Sequence, residues 1–297
     1  MFSNFLFDVL VLGTIYMLFS IGLSLSWGIM NTLNIAHAQV FMAGALASWL
    51  VARHLGVPFL LLPVAAIATG VVLNVLLEFA VFAPIRRRAS DLHQAELSIV
   101  IASIGAGTAL IVLAINITQG LVVSIPNNVF ERKPSPIAGV STTNIDIIII
   151  AVAVVVGVGL MLFMKYSRHA PALRALAHDP YTCGLLGISA SRLSAITMAV
   201  SGALAALAGL LLSLRIEAID PHMGEPLIIM AFTAIILGGV GSVGGTILGS
   251  YLLAAIVSAT VNYGQPSLAY AVPFMVALII LILRPGGIFA QGQWERP

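Results

Sequence analysis

Three side chains able to hydrogen-bond a polar solute, Asn34, His37 and Gln39, fall close together inside SLSWGIMNTLNIAHAQVFMAGALASW (24–49), the stretch with the densest polar group expected at membrane depth. Unpaired polar groups are costly in hydrocarbon, so these three must face protein or a water-filled path. Two uses are open: lining a route for a solute, or capping and bracing between helices. A helix interrupted here would offer free backbone groups to a passing solute. Metal chemistry is excluded, because no second His, Cys or carboxylate stands at ligand spacing from His37. Catalysis has no constellation either: the chain lacks an HExxH pair, a GxSxG elbow and paired mid-span aspartates.

The second chemically equipped stretch is KYSRHAPALRALAHDPYTCGLLGISASR (165–192), the longest polar interruption that also carries clustered basic residues. Pro171 suits a first helical position and Ala172 to His178 are mostly strong helix formers. Arg174 and His178, four apart, share one face of that short helix. Pro180 biases Asp179 out of helical geometry, and a second turn carrying Gly184 would stop at Gly187, where a left-handed cap costs least. Ser189 or Ser191 then caps the next helix. The pattern predicts a short helical knob on a membrane domain, with an ordinary ordered loop as the plainer reading.

What surrounds these groups is overwhelmingly apolar. Of 297 residues, 60% are hydrophobic and 8% charged, with a mean hydropathy of +1.09. A soluble domain carries about 25% charged residues, so this composition belongs to a polytopic membrane protein. A spanning helix needs about 20 apolar residues. Candidate spans cover roughly 5–29, 35–52, 58–83, 97–118, 145–164, 192–215, 226–240, 244–262 and 268–284. The second opens on polar residues and the seventh is short and ends in glycine, so either is a candidate broken or re-entrant helix. The expected architecture is all-α, a single domain over 1–297 with eight or nine crossings. Placing 84–96, 165–192 and the C-terminus in the cytoplasm puts nine of the 13 Lys and Arg inside, as the positive-inside rule asks. The start, MFSNFLFDVLVLG, shows no basic leader and runs directly into the first span. Cys183 is the only cysteine, which excludes an internal disulfide and a cysteine metal cluster.

Other segments read as structural. Glu78 lies eight residues before Arg86, in front of the run Arg86, Arg87, Arg88, where an ion pair or contact with anionic lipid headgroups is expected. Pro84 is expected to end that span. Gly202, Ala206 and Gly209 form a small-residue face for close helix packing. The run ILGGVGSVGGTILGS (236–250) lacks the Lys-Ser/Thr of a nucleotide loop, so Gly238, Gly239, Gly241, Gly244 and Gly245 read as a tight turn between two spans. The segment 119–144 is the largest predicted external excursion. The polar openings of 34–50 and 222–240, each after a long span, hint at two related halves.

Five strings, in order, resemble the branched-chain amino acid permease family of ATP-binding-cassette importers: NIAHAQVFMAGA (34–45), ALRALAHDPYTCGLLGI (172–188), ALAALAGLL (203–211), LGGVGSVGGTILG (237–249) and RPGGIF (284–289). Ala38 stands where that family usually has glycine and Gln39 where it usually has glutamate, which removes a charge from the suspected path. The resemblance implies a multi-pass subunit of the bacterial inner membrane with an importer-permease fold and no catalytic activity of its own. It implies a second homologous permease subunit, two cytoplasmic ATPase subunits that use ATP and Mg, and a periplasmic solute-binding protein, with membrane lipid around them and no nucleic acid. No cofactor would be bound by this chain. Residues 172–188 would be the segment that couples to the ATPases, through Arg174, Ala175, His178, Asp179 and Pro180, with Gly184 and Gly187 shaping its turn. Asn34, His37 and Gln39 would belong to the translocation pathway. Permeases for urea or short amides share this architecture. An ion-coupled secondary transporter is the rival class, and it would want mid-membrane carboxylates where only Glu78 is arguable.

Overall fold

The structure, a computed structural model, describes residues 2–30, 33–135, 142–167, 171–173, 175, 183, 189–239, 241–269 and 271–283. These form a helical bundle: α1 (Phe2–Met30), α2 (His37–Leu55), α3 (Leu61–Leu77), α4 (Ala83–Arg88), α5 (Leu92–Thr118), α6 (Asn144–Tyr166), α7 (Ala190–Ile216), α8 (Glu225–Gly238), α9 (Val243–Tyr263) and α10 (Ala271–Leu283). Each predicted span falls on one of them. Among the described residues, Ser3–Met30, Leu61–Arg88, His93–Thr118, Ala190–Ile216 and Val243–Tyr263 are long and apolar enough to cross a membrane. Shorter apolar stretches lie at Asn144–Leu160, Glu225–Gly238 and Ala271–Ile280.

Helix ends are written in local chemistry. Asp91 opens α5 by accepting the Gln94 N–H at 2.7 Å, which holds its carboxyl below the usual carboxylate range. Thr143 and Asp146 form a reciprocal capping box at the start of α6. Ser189, one of the two predicted caps, accepts from Arg192 N–H and opens α7.

Pro84 does not end its helix. A π turn, Glu78–Phe82, joins α3 to α4, and Ala83 N–H donates to the Glu78 carbonyl five residues back. A proline ring collides with the carbonyl four residues before it in a regular helix, and the widened turn gives the Pro84 ring room. The rod therefore runs on to Arg88, carrying the three arginines out to one end of the bundle.

Helix α7 is the central element, packed against α1, α2 and α3, with α9 on α1 and α8 on α9. Its small-residue face explains why. A Cβ on Gly202 would strike the Gly70 carbonyl of α3, one on Gly209 the Phe41 carbonyl of α2, and one on Gly44 the backbone of Ala206. Lipid tails are as apolar as leucine, so helices in a membrane associate through close van der Waals packing, which small residues permit. At the end opposite the arginines, Arg215 closes the bundle: it reaches Asp8 of α1 at 2.8 Å and Asp146 of α6 at 3.2 Å. The excursion after α5 folds back onto this end. Val123 and Ile219 exchange backbone hydrogen bonds of 3.1 and 2.7 Å, Phe130 stacks on Phe59, and Arg132 donates to the Arg215 carbonyl at 2.9 Å.

Valine at position 202 is expected to destabilise the purified protein by about 2–3 kcal/mol, because backbone carbonyls cannot yield as side chains can. Alanine at Gly159, where a Cβ meets nothing within 4 Å, is expected to cost no stability. Unfolding midpoints of the two variants in the same detergent check the contrast.

Candidate functional site

The first polar group of the sequence opens α2 deep inside the bundle. Phe19, whose carbonyl receives His37 Nε2 at 3.1 Å, lies 11 residues before the end of α1, about 17 Å by helical rise. The chain thus leaves α1 at Met30, returns inward, and starts α2 in the interior. Asn34 and His37 are fully buried and Gln39 nearly so.

These side chains join a chain of hydrogen bonds across the bundle. Since the Phe19 carbonyl can only accept, His37 Nε2 carries the proton and Nδ1 accepts from Ser201 Oγ of α7 at 3.4 Å. Ser201 Oγ accepts from Asn74 Nδ2 of α3 at 3.5 Å, and Asn74 Oδ1 accepts from Asn34 Nδ2 at 3.4 Å. The order is directional, and each link belongs to a different element. Ile35 N–H donates to Ser103 Oγ of α5 at 3.0 Å, which adds that helix.

The free backbone groups that a discontinuous helix here would offer do not include the first N–H donors of α2. The N–H groups of His37, Ala38 and Gln39 are taken by the carbonyls of Asn34, Ile35 and Ala36 at 3.3, 3.3 and 3.0 Å. What stays open are side-chain oxygens: Asn34 Oδ1 and Gln39 Oε1 are buried without a hydrogen-bond partner, as are Ser20 Oγ and Thr197 Oγ1. Gln39 Oε1 points at the space left by Gly107, where a Cβ would come within 2.8 Å of it. The start of α8 meets the same place, since a Cβ on Gly224 would strike the Ala38 carbonyl. Both polar-opened segments therefore converge, the N-terminal residues of α2 against the turn before α8. The 14 residues of α8 cover about 21 Å, less than the roughly 30 Å of a hydrocarbon core.

Asn74 and Ser201 are members of this network that sequence reasoning passed over. The one available signal was an amide or hydroxyl set singly in an apolar span, which calls for an interhelical partner without naming it. Glu78, the sole arguable relay, is buried but paired with Arg86 toward the basic end of its rod. Among the described residues no group of three or more His, Cys, Asp or Glu could hold a metal ion.

Most of the knob, Arg174, His178, Asp179, Pro180, Gly184 and Gly187, lies outside the described residues. Ala175 is helical and exposed. Leu173 and Cys183 are buried against Leu193 at the start of α7, with Ile29 of α1 packed beside them. Leu173 and Cys183 thus sit on the ends of two helices that meet at the polar chain. The glycine turn lies at the same end. Gly238 closes α8, Gly239 and Gly241 adopt φ of 89° and 81°, and Ser242 caps α9 by accepting Gly245 N–H at 3.1 Å. A Cβ on Gly238 would collide with the Gly245 carbonyl, and one on Gly28 with Gly241, whereas Gly244 faces open space.

A family model described as the permease component of the branched-chain amino acid transport system matches residues 5–283. The chain belongs to that family. It is 28% identical to the high-affinity branched-chain amino acid transport system permease protein LivH of Salmonella typhimurium, over 99% of this chain and 97% of that protein. To the corresponding permease BraD of Pseudomonas aeruginosa it is 30% identical, over 97% and 95% of the two chains. A probable LivH of Methanocaldococcus jannaschii is 26% identical over 97% and 92%. No solved structure matches the chain. As in its family, this permease component is a multi-pass helical membrane protein.

Ser201→Ala is expected to cost about 1 kcal/mol, and Asn74→Ala a similar amount. The double variant should cost less than their sum, because both changes break the same bond. A thermodynamic cycle on detergent unfolding measures it, and strict additivity would show that the two side chains do not interact.

Proposed function

We propose that this chain is the transmembrane permease subunit of an ATP-driven importer in the bacterial inner membrane, passing branched-chain amino acids delivered by a periplasmic binding protein. The match to permease components over nearly the whole chain carries the reading. A second permease chain would enclose the path with this one, and two cytoplasmic ATPases would drive it with ATP and Mg.

The anchoring of Leu173 and Cys183 on α1 and α7 supports a coupling role for residues 172–188. ATPase closure does mechanical work, and that work must enter through a protrusion fixed to the helices it moves. Arg174, His178 and Asp179 would make the polar contacts, with Pro180, Gly184 and Gly187 setting the turn. Burial of Asn34 and His37 supports a bracing role for them beside the path, holding α1, α2, α3 and α7 in register. Gln39, with an unspent oxygen, is the member of the trio best equipped to meet a solute when the bundle opens.

Reconstitution with the cognate ATPases and binding protein tests the assignment. Leucine is expected to stimulate ATP hydrolysis and accumulate inside vesicles, whereas urea does neither; the opposite result rejects the substrate class. Asp179→Arg is expected to leave the protein folded and inserted while uptake falls at least about tenfold, a loss of about 1.4 kcal/mol of coupling. Normal uptake by that variant would remove the knob from the coupling path.

A further inference from the structure

The arginine run at the end of the α3–α4 rod is only partly used by the protein. Glu78 takes Arg86. Arg87 and Arg88 are exposed, and among the described residues neither has a carboxylate within ion-pair distance. Arg88 borders a cleft of about 410 Å³ between the rod and the start of α5. One wall is apolar, made by Val81, Pro84 and Ile85; the polar groups Arg88, Gln94 and Ser98 complete it. The π turn shapes this wall, since Val81 belongs to it and Pro84 follows it by two residues.

The polar side is poised to donate. Gln94 Oε1 already accepts from Ser90 N–H and Oγ at 2.9 and 2.8 Å, which leaves its amide NH₂ as the free end. Asp91, the nearest carboxylate in sequence, is occupied by the Gln94 N–H and by Ser90, and Glu96 on the same helix is exposed. Away from the arginines, the same two helix faces become greasy. Leu76, four residues before Ala80, and Ile101, three after Ser98, are 59% and 71% exposed. A cationic, donor-bearing head above a bare apolar track matches one molecule: a phospholipid with a net negative headgroup. A basic pocket between spanning helices at the cytoplasmic face is the setting in which such headgroups bind.

We propose that this cleft holds an anionic phospholipid of the cytoplasmic leaflet, its phosphate diester on Arg88 and Gln94, with Arg87 adding charge and an acyl chain lying along Leu76 and Ile101. The site does not depend on what the permease carries. Arginine suits the phosphate better than lysine, because its planar fork donates two parallel hydrogen bonds.

Native mass spectrometry of the full-length chain in neutral detergent tests it, with dioleoyl phosphatidylglycerol and dioleoyl phosphatidylcholine as the added lipids. Wild-type protein should retain phosphatidylglycerol in preference to phosphatidylcholine, and added salt should weaken that preference. Each arginine is expected to contribute about fivefold, so Arg87→Gln with Arg88→Gln should lower phosphatidylglycerol retention about 25-fold without changing phosphatidylcholine retention. Ser98→Trp, which fills the cleft with both arginines in place, should also abolish the preference, and Arg53→Gln at the opposite end should preserve it. An unchanged melting temperature in the glutamine double variant ties the loss to the site. Three results would overturn the proposal: equal retention of both lipids by wild type, wild-type retention by the double variant, or displacement of the lipid by inorganic phosphate at an ionic strength where chloride leaves it bound, which would mark a site for free anions.

Discussion

Backbone touches backbone along one face of α7, and the remaining architecture follows from that contact. Gly202 on Gly70, Ala206 on Gly44 and Gly209 on Phe41 bring three helices close enough that no side chain fits between them. In a membrane this closeness replaces the hydrophobic effect as the source of cohesion, since lipid and protein interior are equally apolar. It also makes the interface stiff. A layer of leucine side chains could slide by changing rotamers, whereas opposed carbonyls and glycine Cα atoms have no such freedom. The outer helices α5, α6 and α10 lack this intimacy and present their large apolar side chains outward.

Such tight packing creates the dry interior in which a single amide becomes expensive, and the polar chain from Asn34 to Phe19 answers that expense. Its members occupy one point where α1, α2, α3 and α7 pass, and its direction is set by the carbonyl at its end, which forces His37 into one tautomer and Ser201 into donating. Three of the four bonds, at 3.4 to 3.5 Å, are long and individually weak. The chain's value lies in specificity: shifting α2 by one residue would break three of the four links, the one at Asn34 and both at His37, leaving only the Asn74–Ser201 bond between α3 and α7. Starting a helix inside the bundle ordinarily exposes donors, and here the turn at Asn34 to Ala36 consumes them, so the interruption is satisfied locally and the side-chain oxygens are left as the unspent groups.

Much of this was legible in the sequence for physical reasons. Hydrocarbon requires about 20 apolar residues per crossing, so the spans announce themselves, and the spacing of Gly202, Ala206 and Gly209 marks a helix face whatever its partner. The positive charges at 86–88 similarly mark an end. What could not be read was pairing across long separations. Nothing near Asn74 names Ser201, and nothing near Arg215 names Asp8 and Asp146, because those contacts exist only once the bundle has closed. Pro84 misled for a different reason: proline usually ends a helix, yet one extra residue in the preceding turn removes the clash, and the context that selects a π turn is tertiary. Gly244 looks like its neighbours in the glycine turn but meets nothing, so composition overstated how many of those glycines geometry demands.

The same stiffness bears on how work would travel through an ATP-driven permease of this design. Leu173 and Cys183 rest on Leu193 and Ile29, so a load applied at these two residues would reach α7 and α1. Helix α7 cannot yield to α2 or α3, because its contacts with them are backbone on backbone, and its far end is held by Arg215 between Asp8 and Asp146. A displacement entering at Leu193 therefore moves α1, α2, α3 and α7 nearly as one body. Relative motion is left to the looser contacts, those of α5, α6 and α10. Alternating access in this chain is accordingly expected to be a rocking of the central body against its outer helices, with the polar chain carried intact through the cycle.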